Sequence, residues 1–303
     1  MKFWASTAFT DISQYTHLAR YCEEAGVHGL LMSDHQVFPA VLQKPYPYSP
    51  YPDGRPIWEP ETPWPDVWVT IGAMAAVTER MHFGTNIYVA PARNLFTVAK
   101  AVGTAAALSN DRVHLGLAAG WMKEEFDLQG IDYSTRGKLL DEMIPALRTL
   151  WSGGWVEHHG EFFDFGPLMI EPHPAKQVPI WNGGHTDPAL RRAARLCDGW
   201  VGNAYSDDDA ERYVGRLKDM LKAEGREHEP FEIIIGLYVQ PTLDVCRKWE
   251  DKGVTGLMCV PWMNMENDGF DENRADVQNK TALSKKRDAI MRFGENVVAK
   301  VQS

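Results

Sequence analysis

The sequence lacks the features that mark several broad classes of protein. No segment approaches the roughly 20 consecutive apolar residues of a membrane span, and residues 1–5 enter a strand-like run without the apolar core of a signal peptide. The net charge of -10 argues against nucleic acid as a main partner. We therefore expect a cytoplasmic protein that acts on a small molecule, with no nucleic-acid or membrane partner.

Cysteine is also scarce. Only four cysteines occur among 303 residues, and their spacing fits neither a metal site nor a redox pair. We interpret Cys22, Cys197, Cys246 and Cys259 as buried free thiols of a reducing compartment. The glycine-rich dinucleotide fingerprint, the P-loop and the HExxH zinc motif are missing too, and the histidines have no ligand spacing. We therefore expect no metal.

What the sequence does contain is a regular alternation of strand-like and helix-like segments. Apolar runs such as 113–117 are typical of strands covered on both faces. Eight such strands, each followed by a helix, predict an α/β fold, a (β/α)8 TIM barrel in one domain spanning 1–303. The predicted strands are 2–5, 27–32, 82–89, 113–117, 180–181, 199–201, 232–240 and 256–260. The predicted helices are 12–25, 67–78, 95–108, 136–151, 188–196, 206–224, 243–252 and one within 282–301.

Two segments interrupt this repeat. Residues 36–66, the proline-rich loop, hold nine of the 19 prolines, and proline blocks both helices and ladder hydrogen bonds. Interleaved aromatic residues need cover, which favours a loop folded over the barrel mouth as an active-site lid rather than a solvated surface loop. These aromatic residues are Tyr46, Tyr48, Tyr51, Trp58 and Trp64. Residues 155–165 resemble a hairpin outside the barrel.

Three stretches at predicted strand ends contain residues suited to chemistry. His35, in Ser33-Asp34-His35, is placed for proton transfer near neutral pH, although a structural histidine and a capping aspartate are equally compatible with the pattern. Residues 84–91 bring polar side chains to another strand end, or form a core strand closed by a turn. Small residues in 116–120 and the pair Gly183-Gly184 favour a phosphate seat at a helix start over a simple tight turn.

Taken in order, these stretches resemble the bacterial-luciferase-like flavin/deazaflavin oxidoreductase superfamily. The segments that carry the resemblance, over residues 1–205, read SDH, GTNIYVAP, LSNDRVHLGLAAGWMKEEF, ALRTLWSG, PIWNGG and ARLCDGW. The proline-rich loop, the GW after the fourth strand and the YPDGR at 51–55 are more similar to the F420-dependent branch than to the FMN monooxygenases.

The resemblance implies a TIM barrel that binds coenzyme F420, or alternatively FMN, at the carboxyl ends of its strands. It places His35 beside the reactive ring as the catalytic residue and Asp34 in contact with the cofactor. It also implies a non-prolyl cis peptide between Asn86 and Ile87, behind the ring. The positions that would hold the cofactor side chain and phosphate are Ala119, Gly120, Gly183, Gly184 and Thr186.

One position departs from the family pattern. F420-dependent sugar-phosphate dehydrogenases have a catalytic glutamate where this chain has Trp121, so we expect an apolar or aromatic substrate in a pocket shaped by Trp4 and Trp121. The expected activity is hydride transfer between C5 of the deazaflavin and that substrate. The resemblance also implies that the chain can form a homodimer. The alternatives are an FMN-dependent monooxygenase using O2 and a reductase partner, and a non-catalytic flavin-binding paralogue.

Overall fold

Eight parallel strands close into a barrel in the computed structural model, which describes residues 1–263 and 280–302. Around the barrel the order of the strands is β1, β2, β3, β4, β7, β8, β9 and β10, while β5 and β6 pair separately as an antiparallel hairpin. Their bounds are β1 (Lys2–Ser6), β2 (Gly29–Met32), β3 (His82–Thr85), β4 (Val113–Leu117), β5 (Val156–His159), β6 (Asp164–Leu168), β7 (Ile180–Gly183), β8 (Gly199–Tyr205), β9 (Glu232–Leu237) and β10 (Gly256–Cys259).

Helices cover the outside of this barrel. They are α1 (Tyr15–Glu24), α2 (Val67–Ala75), α3 (Leu95–Ser109), α4 (Lys123–Leu128), α5 (Arg136–Leu150), α6 (Asp187–Leu196), α7 (Asp207–Ala223), α8 (Leu243–Asp251), α9 (Leu283–Phe293) and α10 (Ala299–Gln302), with a π-helical turn at Gly294–Val298. In the described part of the chain, none of them combines the length and apolar composition needed to span a membrane.

The predicted (β/α)8 barrel is confirmed, and the strand boundaries differ most at two places. The strand expected at 199–201 continues to Tyr205 and pairs with β9 along most of its length. The strand expected at 82–89 ends at Thr85, and the Asn86–Ile87 peptide that follows is cis. Pairing resumes only at Tyr88, which bridges Leu117 of β4.

Large side chains fill the barrel interior. Trp4 is fully buried, and its ring packs edge-to-face on Trp181 with the centroids 5.0 Å apart. A Cβ at Gly29, which begins β2, would lie 2.3 Å from the Trp4 ring, so the glycine makes the space that the indole fills. This placement near the strand starts corrects the prediction that Trp4 shapes a substrate pocket, because ligands approach from the opposite end of the strands.

The amino-terminal end of the barrel is closed by three histidines. His28 precedes β2, His82 begins β3 and His114 lies in β4. Burial lowers the pKa of His28 to about 3, and it lowers the pKa of His82 and of His114 below the ordinary value. These rings and Trp4 fill the amino-terminal end of the barrel interior.

The predictions for the thiols and for the hairpin are confirmed. All four cysteines are buried and free. The hairpin expected at 155–165 is formed by β5 and β6, which pair with a register shift between Val156 and His158. Glu142 of α5 holds its turn, because the carboxylate accepts the backbone N–H groups of Glu161, Phe162 and Phe163.

Candidate active site at the carboxyl ends of the strands

His35 lies just beyond the carboxyl end of β2, beside the first turn of α4. Its Nδ1 is 3.2 Å from Oε1 of Glu125, which is only 1% exposed and also accepts the Gln36 N–H at 2.7 Å. Because a carboxylate can only accept, Nδ1 carries the proton and Nε2 is the acceptor in the neutral ring. The other oxygen of Glu125, Oε2, is buried and has no hydrogen-bond partner within the described ranges. Glu125 therefore fixes both the position and the tautomer of His35.

Three indoles surround the His35 ring. The ring centroids of Trp58 and Trp64 lie 5.1 Å and 4.9 Å from it, and that of Trp121 lies at 5.8 Å. Trp121 follows β4, whereas Trp58 and Trp64 belong to the proline-rich loop. The imidazole of His35 is consequently shielded from water by apolar rings, as a proton-transferring group in a closed site would be.

The proline-rich loop lies over the barrel mouth. Its Trp58 packs against Phe9, which follows β1, and both are nearly fully buried. Phe9 has a φ of 60°, which is unusual for a bulky side chain and is held here by contact with Trp58 and Trp64. Glu124 of α4 accepts the N–H of Gln43 at 2.5 Å and so ties the loop to the barrel.

Asp34 does not present its carboxylate to the barrel mouth. Oδ1 and Oδ2 accept two hydrogen bonds from the Arg93 guanidinium at 2.8 and 2.7 Å, and Oδ2 also accepts the Val89 N–H at 3.0 Å. Burial raises the pKa of Asp34, and Arg93 opposes that rise. A buried carboxylate needs paired donors, and Arg93 and Val89 supply them, so contact between Asp34 and the cofactor stays a prediction, and the carboxylate is not free to make that contact.

The cis peptide expected between Asn86 and Ile87 is present. Ser33 donates its hydroxyl to the Asn86 carbonyl at 2.9 Å, and the Asn86 side chain reaches Sδ of Met258 at 3.3 Å. Ile87 packs beside Gly183 at the end of β7, where an added Cβ would lie 2.4 Å from Cγ2 of Ile87. The absence of a side chain at Gly183 thus brings the ends of β3 and β7 together.

Gly184 makes the turn from β7 into α6. Its φ of +87° is one that L side chains rarely adopt, and its carbonyl accepts Nε1–H of Trp200 at 2.7 Å. Within the part of the chain that the structure describes, the N–H groups of Gly184, His185 and Thr186 donate no hydrogen bond. Thr186 is the N-cap of α6 and makes no side-chain cap. Free N–H groups at a helix start are the donors that an anion requires.

Gly120 makes the corresponding turn after β4. Its φ is +84°, and a Cβ there would lie 2.6 Å from Val89 and 3.0 Å from Phe126. Its carbonyl accepts Nε–H of Arg136 at 3.1 Å, so a guanidinium stands beside this turn. Ala119, immediately before it, is half-buried and packs against the main core. Gly120 is therefore required by packing, and Arg136 is the cation that bonds to this turn.

Four polar residues of the site were not identified from the sequence. Glu125 had a visible signal in the acidic start of α4, but its pairing with His35 depends on how β2 and β4 are spaced. Arg93 and Arg136 had no comparable signal in the sequence. His185 directly follows Gly184, and its Nδ1 lies 3.4 Å from the Tyr205 hydroxyl while its ring stacks on Tyr213. Burial lowers the pKa of His185.

The residues at the barrel mouth fit a phosphorylated, flavin-type cofactor. Free backbone N–H groups at Gly184, His185 and Thr186 suit its phosphate, and the partly buried side chain of Ile87 is an apolar contact for a ring at the same end of the barrel. His35 and Trp121 lie at the same end of the barrel, with their ring centroids 5.8 Å apart. Of the predicted site residues, the structure brings together His35, Asn86, Ile87, Ala119, Gly120, Trp121, Gly183, Gly184 and Thr186 at this end of the barrel.

Comparison with known proteins gives a consistent result. The family model described as luciferase-like monooxygenase matches residues 4–296. An uncharacterized protein of Mycobacterium tuberculosis (strain ATCC 25618 / H37Rv) is 35% identical over 301 residues, covering 99% of this chain and 100% of that protein. The monooxygenase RslO1 from Streptomyces bottropensis superposes with a TM-score of 0.75 at 14% identity, covering 99% of this chain and 100% of that one. An F420-dependent secondary alcohol dehydrogenase, in complex with an F420-acetone adduct, superposes with a TM-score of 0.66 at 15% identity, covering 99% of each chain.

Proposed function

The chain belongs to the luciferase-like monooxygenase family, and from that premise we propose that it is an F420-dependent oxidoreductase. The cofactor, when bound, supplies hydride transfer at C5 of its deazaflavin ring. The substrate that exchanges the hydride is a small organic molecule, apolar or aromatic where it meets Trp58, Trp64 and Trp121. Members of the family are oxidoreductases, and the resemblance inferred from the sequence is confirmed at this level.

The observation that carries this proposal is the pairing of His35 with Glu125 under the three indoles. Hydride removal from an alcohol-like carbon needs a base for the hydroxyl proton, and hydride addition to a carbonyl needs an acid. Neutral His35, with Nδ1–H held by Glu125, offers Nε2 as the base, and its protonated form offers Nε2–H as the acid. Glu125 stabilises the imidazolium form in either direction.

Other residues would position the cofactor. Gly184 and Thr186 would bind the phosphate through backbone N–H groups, with Arg136 contributing charge from the turn at Gly120. Asn86 and Ile87 would support one face of the ring and leave the opposite face to the substrate. The proline-rich loop would act as the lid that excludes water, tied down by Glu124 and Glu125 through Gln43 and Gln36.

An FMN-dependent monooxygenase is the second candidate. It is supported by the family description and by the fold similarity to RslO1. This reaction consumes O2 and requires a reductase partner to deliver electrons. The same His35 would then serve as a proton donor or acceptor for the oxygenated product. A non-catalytic flavin-binding paralogue is the third candidate, and it gives no reason for the positioned pair of His35 and Glu125.

The deciding experiment is a titration of the full chain with F420 and, separately, with FMN, followed by absorbance and fluorescence. We expect a lower Kd for F420 and no O2 consumption when the bound cofactor is reduced. Tighter FMN binding with O2 uptake on reduction would favour the monooxygenase. Binding of either cofactor without turnover of any of a panel of alcohols, ketones and aromatic compounds would favour the non-catalytic paralogue.

A further inference from the structure

The amino-terminal end of the barrel, opposite the proposed active site, holds a second cluster of side chains that can bind a ligand. His28 directly precedes β2, His82 and His114 lie in the neighbouring strands β3 and β4, and one nitrogen from each lies within 4.8 Å of the others. The sheet register produces this convergence, because Gly29 pairs with His82 and Gly84 pairs with His114. The spacing of 28, 82 and 114 in the sequence gives no sign of it. We refer to these three residues as the histidine cluster.

Two nitrogens of the histidine cluster lack any protein partner in the described ranges. His28 Nε2 and His114 Nδ1 are buried and make no hydrogen bond, while His82 Nδ1 and His114 Nε2 lie 3.0 Å apart. Buried polar atoms in native proteins are nearly always satisfied, so the unpaired nitrogens of His28 and His114 call for an occupant beside them. The lone pairs of imidazole make that occupant a cation that imidazole ligates.

The rings of the histidine cluster are held in place by aromatic packing. His28 stacks on His82 with the centroids 4.5 Å apart, and His114 stacks on Trp181 at 4.7 Å. The Trp4 ring packs edge-on against both His28 and His114, at 4.9 and 5.2 Å. Preorganised ligand rings with restricted rotation are what a metal site needs.

One carboxylate stands at the edge of the cluster. Oε2 of Glu232 lies 3.9 Å from His114 Nδ1 and accepts Nε1–H of Trp181 at 2.9 Å, while its other oxygen forms an ion pair with Lys2. Glu232 therefore supplies negative charge to balance a cation and is close enough to act as a further ligand or to orient His114. Arg112, also nearby, is turned away, because its guanidinium donates to Thr78, Met81, Ala75 and Ser109.

We propose that the histidine cluster binds a divalent transition metal ion, with Zn²⁺ as the ion that it suits best. Three imidazoles with an open fourth position are an established zinc donor set, and Mg²⁺ or Ca²⁺ would require oxygen ligands instead. Zn–N bonds of 2.0–2.1 Å at tetrahedral angles separate ligand nitrogens by about 3.4 Å. Metal binding requires the His82 and His114 nitrogens, 3.0 Å apart, to separate slightly, and the half-buried His28 ring to adjust within its aromatic packing.

The proposed metal has a structural role rather than a catalytic one. It would join the starts of β2, β3 and β4, whereas His35 and the Asn86–Ile87 peptide lie beyond the ends of those strands. Metal binding to the folded chain alone raises its stability by mass action. The proposal is independent of which cofactor the active site uses.

The test uses the full chain after dialysis against a chelator, with Zn²⁺ and Co²⁺ as probes. We expect one Zn²⁺ per chain, a rise in the thermal unfolding midpoint with Zn²⁺ concentration, and a visible Co²⁺ absorption band of tetrahedral type. His82→Gln should weaken Zn²⁺ binding on the order of 100-fold or more, because it removes a ligand. The matched control is His159→Gln, which alters an exposed histidine paired with Asp164 and should leave binding unchanged.

Two outcomes overturn the proposal. One is the absence of the Co²⁺ band and of any Zn²⁺ effect on the wild-type midpoint, and the other is Zn²⁺ binding that His82→Gln leaves intact. If His82→Gln fails to fold by circular dichroism, His28→Gln replaces it, because His28 makes no hydrogen bond through its side chain in the described structure and its loss disturbs the barrel least. The wild-type Co²⁺ spectrum decides the matter without either variant.

Discussion

His35 and Glu125 are 90 residues apart in the sequence, and yet Nδ1 of one lies 3.2 Å from Oε1 of the other in the barrel mouth. The same oxygen of Glu125 accepts the N–H of Gln36, the first residue of the proline-rich loop. One buried carboxylate therefore sets the histidine tautomer and anchors the loop that covers it. The orientation of His35 and the position of the proline-rich loop are coupled through this single side chain.

The first prediction follows from this pairing. His35→Ala should lower kcat roughly 10²–10⁴-fold, the usual contribution of a positioned acid or base. Glu125→Gln should lower kcat about 10- to 100-fold, which corresponds to one hydrogen bond to a charged group worth about 1.5–3 kcal/mol. It should also change the pH profile of kcat/KM, because the imidazolium form loses its stabilising charge. Steady-state kinetics from pH 5 to 9 measures both effects.

The control for this prediction is Glu142→Gln. Glu142 also accepts several backbone N–H groups, but it holds the β5–β6 hairpin outside the barrel. Its variant should keep the wild-type pH profile. The catalytic role of His35 is wrong if His35→Ala loses stability while each folded molecule keeps normal activity.

A second prediction concerns the buried pair of Asp34 and Arg93. Arg93→Met should lower the free energy of unfolding by about 3–5 kcal/mol, because it leaves a buried carboxylate without its bidentate partner. Asp34→Asn should lower it less, since the amide oxygen can still accept from Val89. Urea denaturation at pH 7 measures the change. Lys123→Met, which breaks the exposed pair with Asp127, should leave the free energy unchanged within error.

The sequence predicts those features that residues close together along the chain determine, and it does not predict contacts between residues far apart along the chain. The barrel was predictable because each strand and helix carries its own local pattern, as 113–117 does. The turn at Gly184 was predictable for the same reason, since glycine, strand end and helix start are contiguous. The cis peptide at Asn86–Ile87 followed only from family resemblance, because no local pattern distinguishes it from a continuing strand.

The contacts that the sequence did not predict have a common physical cause. Asp34 was assigned to the cofactor by family resemblance and Trp4 to an apolar pocket as an aromatic residue, but a side chain's direction depends on what the barrel brings against it. Arg93 captures the Asp34 carboxylate, and Gly29 opens the space for the Trp4 indole inside the barrel. Glu125 was missed for the converse reason, since it lies in α4 after β4 while its partner His35 follows β2. Strand register sets these contacts, and a single sequence does not reveal it.

The third prediction concerns stability at alkaline pH. Burial raises the pKa of Cys22 and of Cys197 to about 12, compared with about 8.5 in an unfolded chain. Because the folded state retains these protons longer, their contribution to stability is complete below about pH 8.5 and is lost as pH rises toward 12. Each thiol should add about 1.4 kcal/mol per pH unit to the loss in this window.

Cys22→Ala tests this linkage directly. Its free energy of unfolding, measured by urea denaturation from pH 8 to 10.5, should fall less steeply with pH than that of the wild type, by one thiol's contribution. An aromatic disulfide reagent at pH 8 should label no thiol in the folded chain and four in guanidinium chloride. Identical slopes for variant and wild type, or rapid labelling of the native chain, would show that Cys22 is accessible to water.

The last prediction concerns the proposed phosphate-binding turn at the start of α6. Gly184→Val should weaken cofactor binding, because the φ of +87° is lost to a β-branched residue and the N–H groups of Gly184, His185 and Thr186 move out of alignment. Gly225→Val is the matched control, since Gly225 has a φ of +70°, has nothing within 4 Å of an added Cβ, and lies in the turn before β9 at the other end of the barrel. Both variants should lose stability, and only Gly184→Val should raise the Kd for F420 or FMN. An unchanged Kd in Gly184→Val would remove the turn from the cofactor site, and the turn at Gly120 with Arg136 would then be the remaining anion-binding position.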